Sequence, residues 1–372
     1  PDCNLISGES FIRQILHGKN FFKDEFGEEV TNCWIPDVFG YSASMPQILK
    51  LAGINHFLTQ KMSWSQFNRF PYTTFRWRGI DGTEVLTHFP PEDTYNSQLQ
   101  PYDLQRSEAN FVEKAVLDEM MCLFGVGDGG GGPTAEMIER GLRQQNLEGS
   151  PKIRFDRADR FFERIYAKQD RLPVWSGELY LELHRGTLTT QARTKRNNRF
   201  LEQSLRETEY LLGLGELSDY PIMELDGIWK TLLINQFHDI LPGSSIRWVY
   251  DVTEQEHAQA LEDCSRIRTE AAERMMAADP GALTVINTLN VLHDREIRLP
   301  EDWEGGLQDE SGNEVPVQQE SDGTKVAQLS LEPQAIRTLR RGEGKSMVQP
   351  IQSLVLENDL VRYEFNEHGQ LT

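Results

Sequence analysis

The residue whose chemistry stands out first is Asp37, a carboxylate within the largely apolar segment WIPDVFGYS. We predict that Asp37 follows a β-strand of an α/β domain, at the rim where reacting groups collect. Apolar neighbours would exclude water and strengthen every charge interaction that this carboxylate makes. An aspartate after a strand is also typical of a helix N-cap or a turn, and the pattern by itself favours that structural role.

A second candidate carboxylate, Asp128, lies in the glycine-rich segment FGVGDGGGGPT. Glycines let the backbone approach a ligand closely and adopt positive φ angles, so this segment is typical of a flexible loop that carries a reacting group. A plain surface turn is the alternative interpretation. A nucleotide-binding loop is disfavoured because the GK[ST] ending is missing.

A third candidate is the pair His238 and Asp239 in INQFHDILPGSS, at the end of a predicted helix and just before the Pro242–Gly243 break. A histidine at a helix C-terminus commonly interacts with the helix dipole only. Alternatively, His238 and a carboxylate from another segment could bind one borderline divalent metal such as zinc. Spacing alone does not show that these residues meet.

A fourth polar segment, SGELYLELHRGTLTTQARTKRNNR, contains Glu182, His184 and Arg185, which could line a polyol-binding cleft. The alternative is a solvated helix start with a basic face. That face would consist of Arg193, Lys195, Arg196 and Arg199.

The segments around Asp37 and Asp128 show alternating helix and strand patterns, and these elements must position both carboxylates. Helical patterns in SGESFIRQILHGKNFFKDEFG, SMPQILKLAG, TAEMIERGLRQQN and RADRFFERIYAKQ alternate with strand patterns in EEVTNCWIPD and INHFLTQK. The segment TTFRWRGIDGTEVLTHF predicts a hairpin at Asp81–Gly82, and EMMCLFG predicts a strand or a helix end. Such alternation is the signature of βα units on a parallel sheet.

Beyond Leu181, three long helical patterns predict a bundle. The second of these helices begins near a possible N-cap at Asp226, and the third covers about Thr253 to Ala278. After Asp279, period-2 alternation in LTVINTLN, REIRLP, KVAQLSL, SLVLEN and LVRYEF predicts strands that begin a β-sandwich. The predicted domains are therefore 1–175, 176–280 and 281–372.

Composition limits the classes of function. The 372 residues include 38 basic and 58 acidic side chains, and the net charge of -20 argues against nucleic acid or an anionic membrane surface as a partner. Four well-separated cysteines without a CxxC pair argue against a disulfide framework and favour a cytoplasmic location. The missing initiator methionine and a C-terminus just after a strand pattern suggest a piece of a longer polypeptide.

Five segments together carry a more specific signal: WIPDVFGYSASMPQIL, FRWRGIDGTEVLTHFPPEDTYN, GVGDGGGGPT, ELHRGTLTTQARTKRNNR and INQFHDILPGSSI. In this order they resemble the α-mannosidases of glycoside hydrolase family 38, particularly the bacterial and cytosolic branch. The resemblance implies a retaining glycosidase with a (β/α)7 barrel, a three-helix bundle and C-terminal β-sandwich domains. The expected substrate is a glycan or oligosaccharide that contains α-linked mannose. The sequence is compatible with a homo-oligomer.

The resemblance also implies the roles of the charged residues. Asp37 matches the family's catalytic nucleophile and zinc ligand, and His238 matches another zinc ligand. Asp128 would be the acid/base that protonates the departing oxygen and then activates water. Zinc is the expected metal, although another divalent ion is compatible with these ligand types. Three further residues would contact the sugar, namely Phe39 as an aromatic wall, Tyr95 and Asp239.

The chain departs from the family at the remaining zinc ligands. Family members carry a His-x-Asp pair on the first barrel strand, whereas the only histidine before Asp37 is His17. We therefore expect a partial barrel, weak zinc binding by Asp37 and His238 alone, and a segment that is close to inactive.

Two alternatives from other classes stay open. The chain could belong to a non-catalytic carbohydrate-binding homologue, or to a metal-dependent hydrolase of another bond, such as a deacetylase. Both are disfavoured because neither accounts for five motifs in this order.

Overall fold

A computed structural model describes residues 1–276, 279–343 and 353–372. The chain divides into two compact units, the first of residues 1–208 and 220–266 and the second of residues 209–219 and 267–372. Helices and strands alternate through the first 180 residues, long helices follow, and strands dominate from residue 282. Within the described ranges, no helix is long and apolar enough to cross a membrane.

The structure describes eight α-helices and fourteen strands. The helices are α1 Gly8–Phe26, α2 Met45–Leu51, α3 Pro101–Asn110, α4 Ala135–Arg143, α5 Ala158–Tyr166, α6 Ala192–Leu212, α7 Ile222–Asn235 and α8 Arg247–Met275. The first strands are β1 Asn32–Trp34, β2 His56–Leu58, β3 Thr74–Arg78, β4 Glu84–His88 and β5 Val174–Ser176. The later strands are β6 Ala282–Ile286, β7 His293–Arg298, β8 Gly306–Gln308, β9 Glu314–Val315, β10 Val317–Gln319, β11 Lys325–Leu331, β12 Ile336–Gly342, β13 Val355–Glu357 and β14 Arg362–Glu364.

The first unit contains a five-stranded sheet with the order β1-β2-β4-β3-β5. Strands β1, β2 and β4 are parallel neighbours, whereas β3 runs antiparallel to β4 and parallel to β5. The predicted hairpin is confirmed, with Gly82 at a φ of 87° in the turn and Thr83 bonded through its amide and hydroxyl to Asp81. This hairpin makes the sheet mixed, because β3–β4 is an antiparallel pair among the parallel pairs β1–β2, β2–β4 and β3–β5. The (β/α)7 barrel stays a prediction.

Aromatic side chains fill the core of this sheet. Strand β2 is buried throughout, as expected for a strand that is covered on both faces. Trp77 is fully buried and donates its ring N–H to the carbonyl of Gly177 at 2.7 Å, so its one polar atom has a partner. Neighbouring fully buried side chains are Tyr41, Leu49, Phe57 and Phe75.

A buried carboxylate, Glu202, joins three helices of the first unit. It lies on α6 and accepts hydrogen bonds from the backbone amide of Ser7 at 2.8 Å, from the Ser10 hydroxyl at 2.7 Å and from the side-chain amide of Gln236 at 3.0 Å. Ser7 is the N-cap of α1, and Gln236 directly follows α7. The start of α1 and the end of α7 are thus fixed against α6, and the end of α7 leads directly into His238.

The three long helical patterns are confirmed as α6, α7 and α8, but two predicted boundaries are wrong. Helix α7 begins at Ile222 after Pro221, and Asp226 lies inside it, paired with Lys230 one turn further on at 2.7 Å. Helix α8 begins at Arg247, earlier than Thr253. The predicted helix end at Ala278 lies outside the described residues. A three-helix bundle as a packing arrangement stays a prediction.

The second unit contains three antiparallel sheets, β6-β12-β8-β9, β10-β11-β7 and the two-stranded sheet β13-β14. Side chains from the two larger sheets share one core, with Leu307 and Leu339 from the four-stranded sheet and Val317 and Leu329 from the three-stranded sheet. The predicted strands β6, β7, β11, β13 and β14 are confirmed. Strands β8, β9, β10 and β12 were not predicted.

Candidate active site

Asp37 lies three residues beyond the end of β1, so the predicted strand that reaches Asp37 ends earlier, at Trp34. The parallel register places Trp34 beside Leu58 at the ends of β1 and β2. Beyond these ends, the amide of Lys61 donates to the carbonyl of Pro36 at 2.9 Å. The two segments therefore continue side by side, and the Lys61 ammonium reaches Asp37 Oδ1 at 2.7 Å.

His238 approaches the other oxygen of Asp37. Its Nε2 atom lies 3.7 Å from Asp37 Oδ2 and 3.6 Å from Asp239 Oδ2. Burial favours the neutral form of Asp37, but the hydrogen-bonding groups and charges of His238 and Lys61 act in the opposite direction and prevail. The pKa of Asp37 therefore lies below its usual value, and the carboxylate is ionised at neutral pH. Ionisation is required of a nucleophile and of a metal ligand alike.

Phe39 forms an aromatic wall next to this carboxylate. Its ring makes T-shaped contacts with the rings of His184, at a centroid distance of 4.8 Å, and of His238, at 6.2 Å. The Lys61 ammonium lies 5.3 Å from the Phe39 ring and 3.8 Å from the half-exposed Trp64 ring. An apolar wall beside a few hydrogen-bonding groups is a common composition for a small-molecule binding site.

The loop that carries His238 and Asp239 is held by a lysine of α6. Lys195 Nζ donates to the backbone carbonyls of Leu241 at 2.9 Å and Pro242 at 3.1 Å. Asp239 accepts a hydrogen bond from the Ser244 hydroxyl at 2.8 Å. The loop after α7 is thus fixed at both its backbone and its acidic side chain.

Tyr95 lies within the electrostatic influence of Asp37, Asp128 and Asp239. Burial, the negative charges of Asp37 and Asp128 and a hydrogen bond to Asp37 raise the pKa of Tyr95 to about 12, with a smaller contribution from Asp239. Tyr95 is therefore a neutral hydrogen-bond donor, and its environment includes all three predicted acidic site residues.

Asp128 is an exposed residue at the tip of its glycine-rich loop, with a φ of 58°. The preceding amide, of Gly127, donates to Asn96 Oδ1 at 2.7 Å. The prediction of a strand or helix end in EMMCLFG is wrong, because only an isolated bridge between Ser97 and Phe124 occurs there. The Asp128 loop is therefore held by hydrogen bonds to the segment that contains Tyr95.

The segment that contains Glu182, His184 and Arg185 was predicted to be either part of a binding cleft or a solvated helix start, and its residues differ in this respect. His184 lies at the Asp37 site, where burial and the Lys61 charge lower its pKa. Glu182 instead accepts hydrogen bonds from the amide and side chain of Asn68, both at 2.6 Å, and so fixes a loop. In the basic series, Arg193 pairs with Glu254 at 2.7 Å, as in a solvated helix face.

Asp37 and His238 have the donor types that zinc prefers. Zinc–ligand bonds are about 2.0 to 2.2 Å long. Asp37 Oδ2 and His238 Nε2 lie 3.7 Å apart, so one ion could contact both atoms. However, the described ranges contain no group of three or more His, Cys, Asp or Glu side chains arranged to hold a metal. The donor types of Asp37 and His238 thus suit zinc, but the described residues do not assemble a complete zinc site.

Sequence reasoning missed Lys61 and Asn96. Lys61 could have been found from the sheet register, because Asp37 and Lys61 each follow their strand by three residues, at equivalent rim positions of neighbouring parallel strands. No comparable signal existed for Asn96, because its bond to Gly127 spans two loops.

The fold and the site can be compared with known proteins. An α-mannosidase structure from Enterococcus faecalis V583 has a TM-score of 0.74 over all of this chain and half of that one, at 18% identity. Among curated relatives, alpha-mannosidase G of Dictyostelium discoideum is 48% identical over 77% of this chain, and human alpha-mannosidase 2C1 is 36% identical over all of it.

Two family models match the chain: the glycosyl hydrolases family 38 N-terminal domain over residues 1–178 and the alpha mannosidase middle domain over residues 182–275. The chain belongs to glycoside hydrolase family 38, as the five sequence motifs predicted. It spans 26% of the Dictyostelium relative and 36% of the human relative.

Proposed function

We propose that this chain carries part of the active site of a retaining α-mannosidase that removes terminal α-linked mannose from glycans. The observation that carries the proposal is the convergence of Asp37, His238 and Asp239 beside the Phe39 wall, in a chain that belongs to family 38. Free thiols at all four cysteines suit the reducing cytoplasm as its location.

In the proposed reaction, Asp37 attacks the anomeric carbon while Asp128 donates a proton to the departing oxygen. Water then cleaves the covalent mannosyl–enzyme, with Asp128 as the base. A retaining mechanism requires the two carboxyl groups to lie about 5 to 5.5 Å apart in the reacting complex. Phe39, Tyr95 and Asp239 would hold and orient the sugar during both steps.

Asp37 and His238 would hold the zinc ion. When bound, zinc supplies Lewis-acid stabilisation of the sugar hydroxyl oxygens and of the ionised carboxylate. A catalytic zinc site usually has three protein ligands, so two leave this site incomplete. We therefore propose that the chain alone binds zinc weakly and turns over slowly.

The proposal is tested with a chromogenic α-mannoside and added zinc, with the matching α-glucoside as the substrate control. We expect a rate close to background that is specific for the mannoside and is lost in Asp37→Asn. Robust turnover with tight one-to-one zinc would contradict an incomplete site. A mannoside rate unchanged by Asp37→Asn would contradict the assigned nucleophile, and acetate release from acetylated sugars without mannose release would favour a deacetylase.

A further inference from the structure

Two large aromatic side chains are exposed on the loop that follows β2. Trp64 is 48% exposed and Phe67 is 73% exposed. Single exposed apolar residues are common on protein surfaces, but two of them on one loop beside a candidate site indicate a binding surface. A ligand that covers these rings would remove apolar area from water.

The loop that carries the two rings is held in place by Glu182. The backbone amide of Gln66 donates to the carbonyl of Glu182 at 3.2 Å. The carboxylate of Glu182 accepts from the backbone amide and the side-chain amide of Asn68, both at 2.6 Å. Phe67 is therefore flanked on both sides by residues bonded to Glu182. A loop that is already ordered loses little conformational entropy when a ligand binds, so the rings are preorganised.

The two rings continue the candidate site outwards. The Trp64 ring lies 3.8 Å from the Lys61 ammonium and 6.2 Å from the ring of His184, which also contacts the aromatic wall of the site. Arg185 is the next residue along the chain, and its guanidinium lies 5.7 Å from the Phe67 ring. Trp64 is thus the ring nearer to the candidate nucleophile, and Phe67 lies beside the residue that follows His184.

These side chains suit the two kinds of surface that a sugar ring presents. A sugar ring has an apolar face of C–H groups, which packs against an aromatic ring, and a rim of hydroxyl groups, which form hydrogen bonds. Arg185 donates to Gln66 Oε1 at 3.5 Å, a long bond that a ligand hydroxyl could replace. A guanidinium has five N–H donors, so Arg185 could bond to more than one hydroxyl.

We propose that Trp64, Phe67 and Arg185 form a second subsite, which binds the sugar unit next to the terminal mannose of an oligosaccharide. The inference rests on the proposed function, which places the terminal mannose at Asp37. An enzyme that removes the terminal unit has the rest of its substrate on the leaving-group side. The second subsite therefore selects oligosaccharides over simple mannosides.

The test is ligand binding to the full chain, measured by saturation-transfer difference NMR with methyl α-mannoside and with mannobioses of each α-linkage. We expect at least one mannobiose to bind about threefold or more tighter than methyl α-mannoside, with saturation reaching the protons of its second sugar. Phe67→Ala is expected to weaken that mannobiose by about threefold or more and to leave methyl α-mannoside within about twofold. Trp64→Ala should act in the same direction, but Phe67 is the cleaner test because Trp64 also contacts Lys61.

Two further variants separate a ring-stacking role from a general effect on the fold. Phe67→Tyr keeps the ring and is expected to bind mannobiose like the unsubstituted chain. Phe26, at the end of α1, is exposed to a similar extent at 64%, and Phe26→Ala should leave the binding of both ligands unchanged. Thermal unfolding of each variant verifies that it folds.

The inference is overturned if no mannobiose binds more tightly than methyl α-mannoside, or if Trp64→Ala and Phe67→Ala leave mannobiose binding unchanged. A change of oligomeric state in Phe67→Ala without a change in mannobiose binding would assign the rings to a protein contact instead. The proposed function fails separately, when the glucose disaccharide maltose binds as tightly as every mannobiose or when Asp37→Ala leaves the binding of methyl α-mannoside unchanged.

Discussion

Asp37 is held by groups from three separate segments of the chain. Lys61 follows β2, His238 follows α7, and Tyr95 precedes α3. Each residue contributes a different property: Lys61 a balancing positive charge, His238 an imidazole nitrogen of the kind that binds metals, and Tyr95 a neutral hydroxyl donor. The site is therefore a product of the fold around Asp37 and not of the local WIPDVFGYS segment.

Gly127 offers a direct test of how the Asp128 loop is positioned. A Cβ atom at this residue would lie 2.4 Å from Asn96 Oδ1 and 3.1 Å from the Tyr95 ring. Gly127→Ala is therefore expected to destabilise the chain by about 1 to 3 kcal/mol, as overpacking does, and to displace the loop. Urea unfolding measures the cost.

Gly132 is the matched control in the same loop, because a Cβ there would have no neighbour within 4 Å. Gly132→Ala is expected to change stability by less than about 0.5 kcal/mol. Equal effects of the two alanines would show that Gly127 is not constrained by Asn96 and Tyr95.

The sequence was sufficient to single out the candidate acidic and histidine residues of the site, but not all of the residues that form hydrogen bonds or ion pairs with them. Asp37 and His238 were singled out at predicted element ends and Asp128 in a glycine-rich loop, and the resemblance carried by the five motifs implied their catalytic roles. Lys61 was not singled out, because its partnership with Asp37 becomes apparent only when β1 and β2 are aligned as parallel neighbours. Asn96 was missed because its bond joins two irregular loops.

At the scale of elements, the start of α1 supports the end of α7 through Glu202. The Ser7 hydroxyl caps α1 by accepting from the Ser10 amide at 3.1 Å, while the Ser7 amide donates to Glu202. Proper formation of the first turn of α1 therefore also fixes the carboxylate that binds Gln236.

Ser7→Ala removes the capping oxygen and is expected to cost about 1 kcal/mol of folding free energy, whereas Ser7→Gly should cost only a few tenths. Chemical denaturation of the two variants measures the difference. The Ser7 amide and its bond to Glu202 remain in both variants, so the comparison of each with the unsubstituted chain reports the loss of the hydroxyl. A glycine variant less stable than the alanine variant would show that capping is not what Ser7 contributes.

Element types followed from the sequence more closely than element boundaries. The hairpin at Asp81–Gly82 and helix α1 were predicted because their turn and cap residues act locally. The start of α7 was misplaced because Asp226 resembles an N-cap, yet Pro221 allows the helix to begin one turn earlier. Strands β8 to β10 are two or three residues long, too short to show period-2 alternation.

At the scale of the whole molecule, three buried histidines make stability depend on pH. Burial lowers the pKa of His88 to about 3 and those of His56 and His257 to about 4. In the unfolded chain a histidine titrates near a pKa of about 6.5. Between these values the unfolded state binds protons that the folded state cannot, so stability falls as the pH falls.

We expect the free energy of unfolding to decrease from pH 7 to pH 5 by about 1 to 2 kcal/mol for each of these histidines. Burial raises the pKa values of Glu92 and Glu113, and proton uptake by these folded-state carboxyls offsets part of the loss. Urea unfolding at both pH values measures the net change. Constant or rising stability towards pH 5 would contradict the expectation.

His257 allows the contribution of one histidine to the pH dependence of stability to be measured separately, because neither of its ring nitrogens has a hydrogen-bond partner within the described part of the chain. His257→Leu removes the titrating group and is expected to flatten the pH dependence with little loss at pH 7. His368 is exposed and serves as the control, since its replacement should leave the pH dependence unchanged.

Under the proposed function, Asp37 and His238 together form one part of a catalytic zinc site. The most direct measurement is a zinc titration of the chain beside Asp37→Ala and His238→Ala. We expect one weak site, with a dissociation constant above about 1 µM, that either substitution weakens by about tenfold or more. Tight one-to-one zinc binding, or weak binding that neither substitution changes, would contradict it.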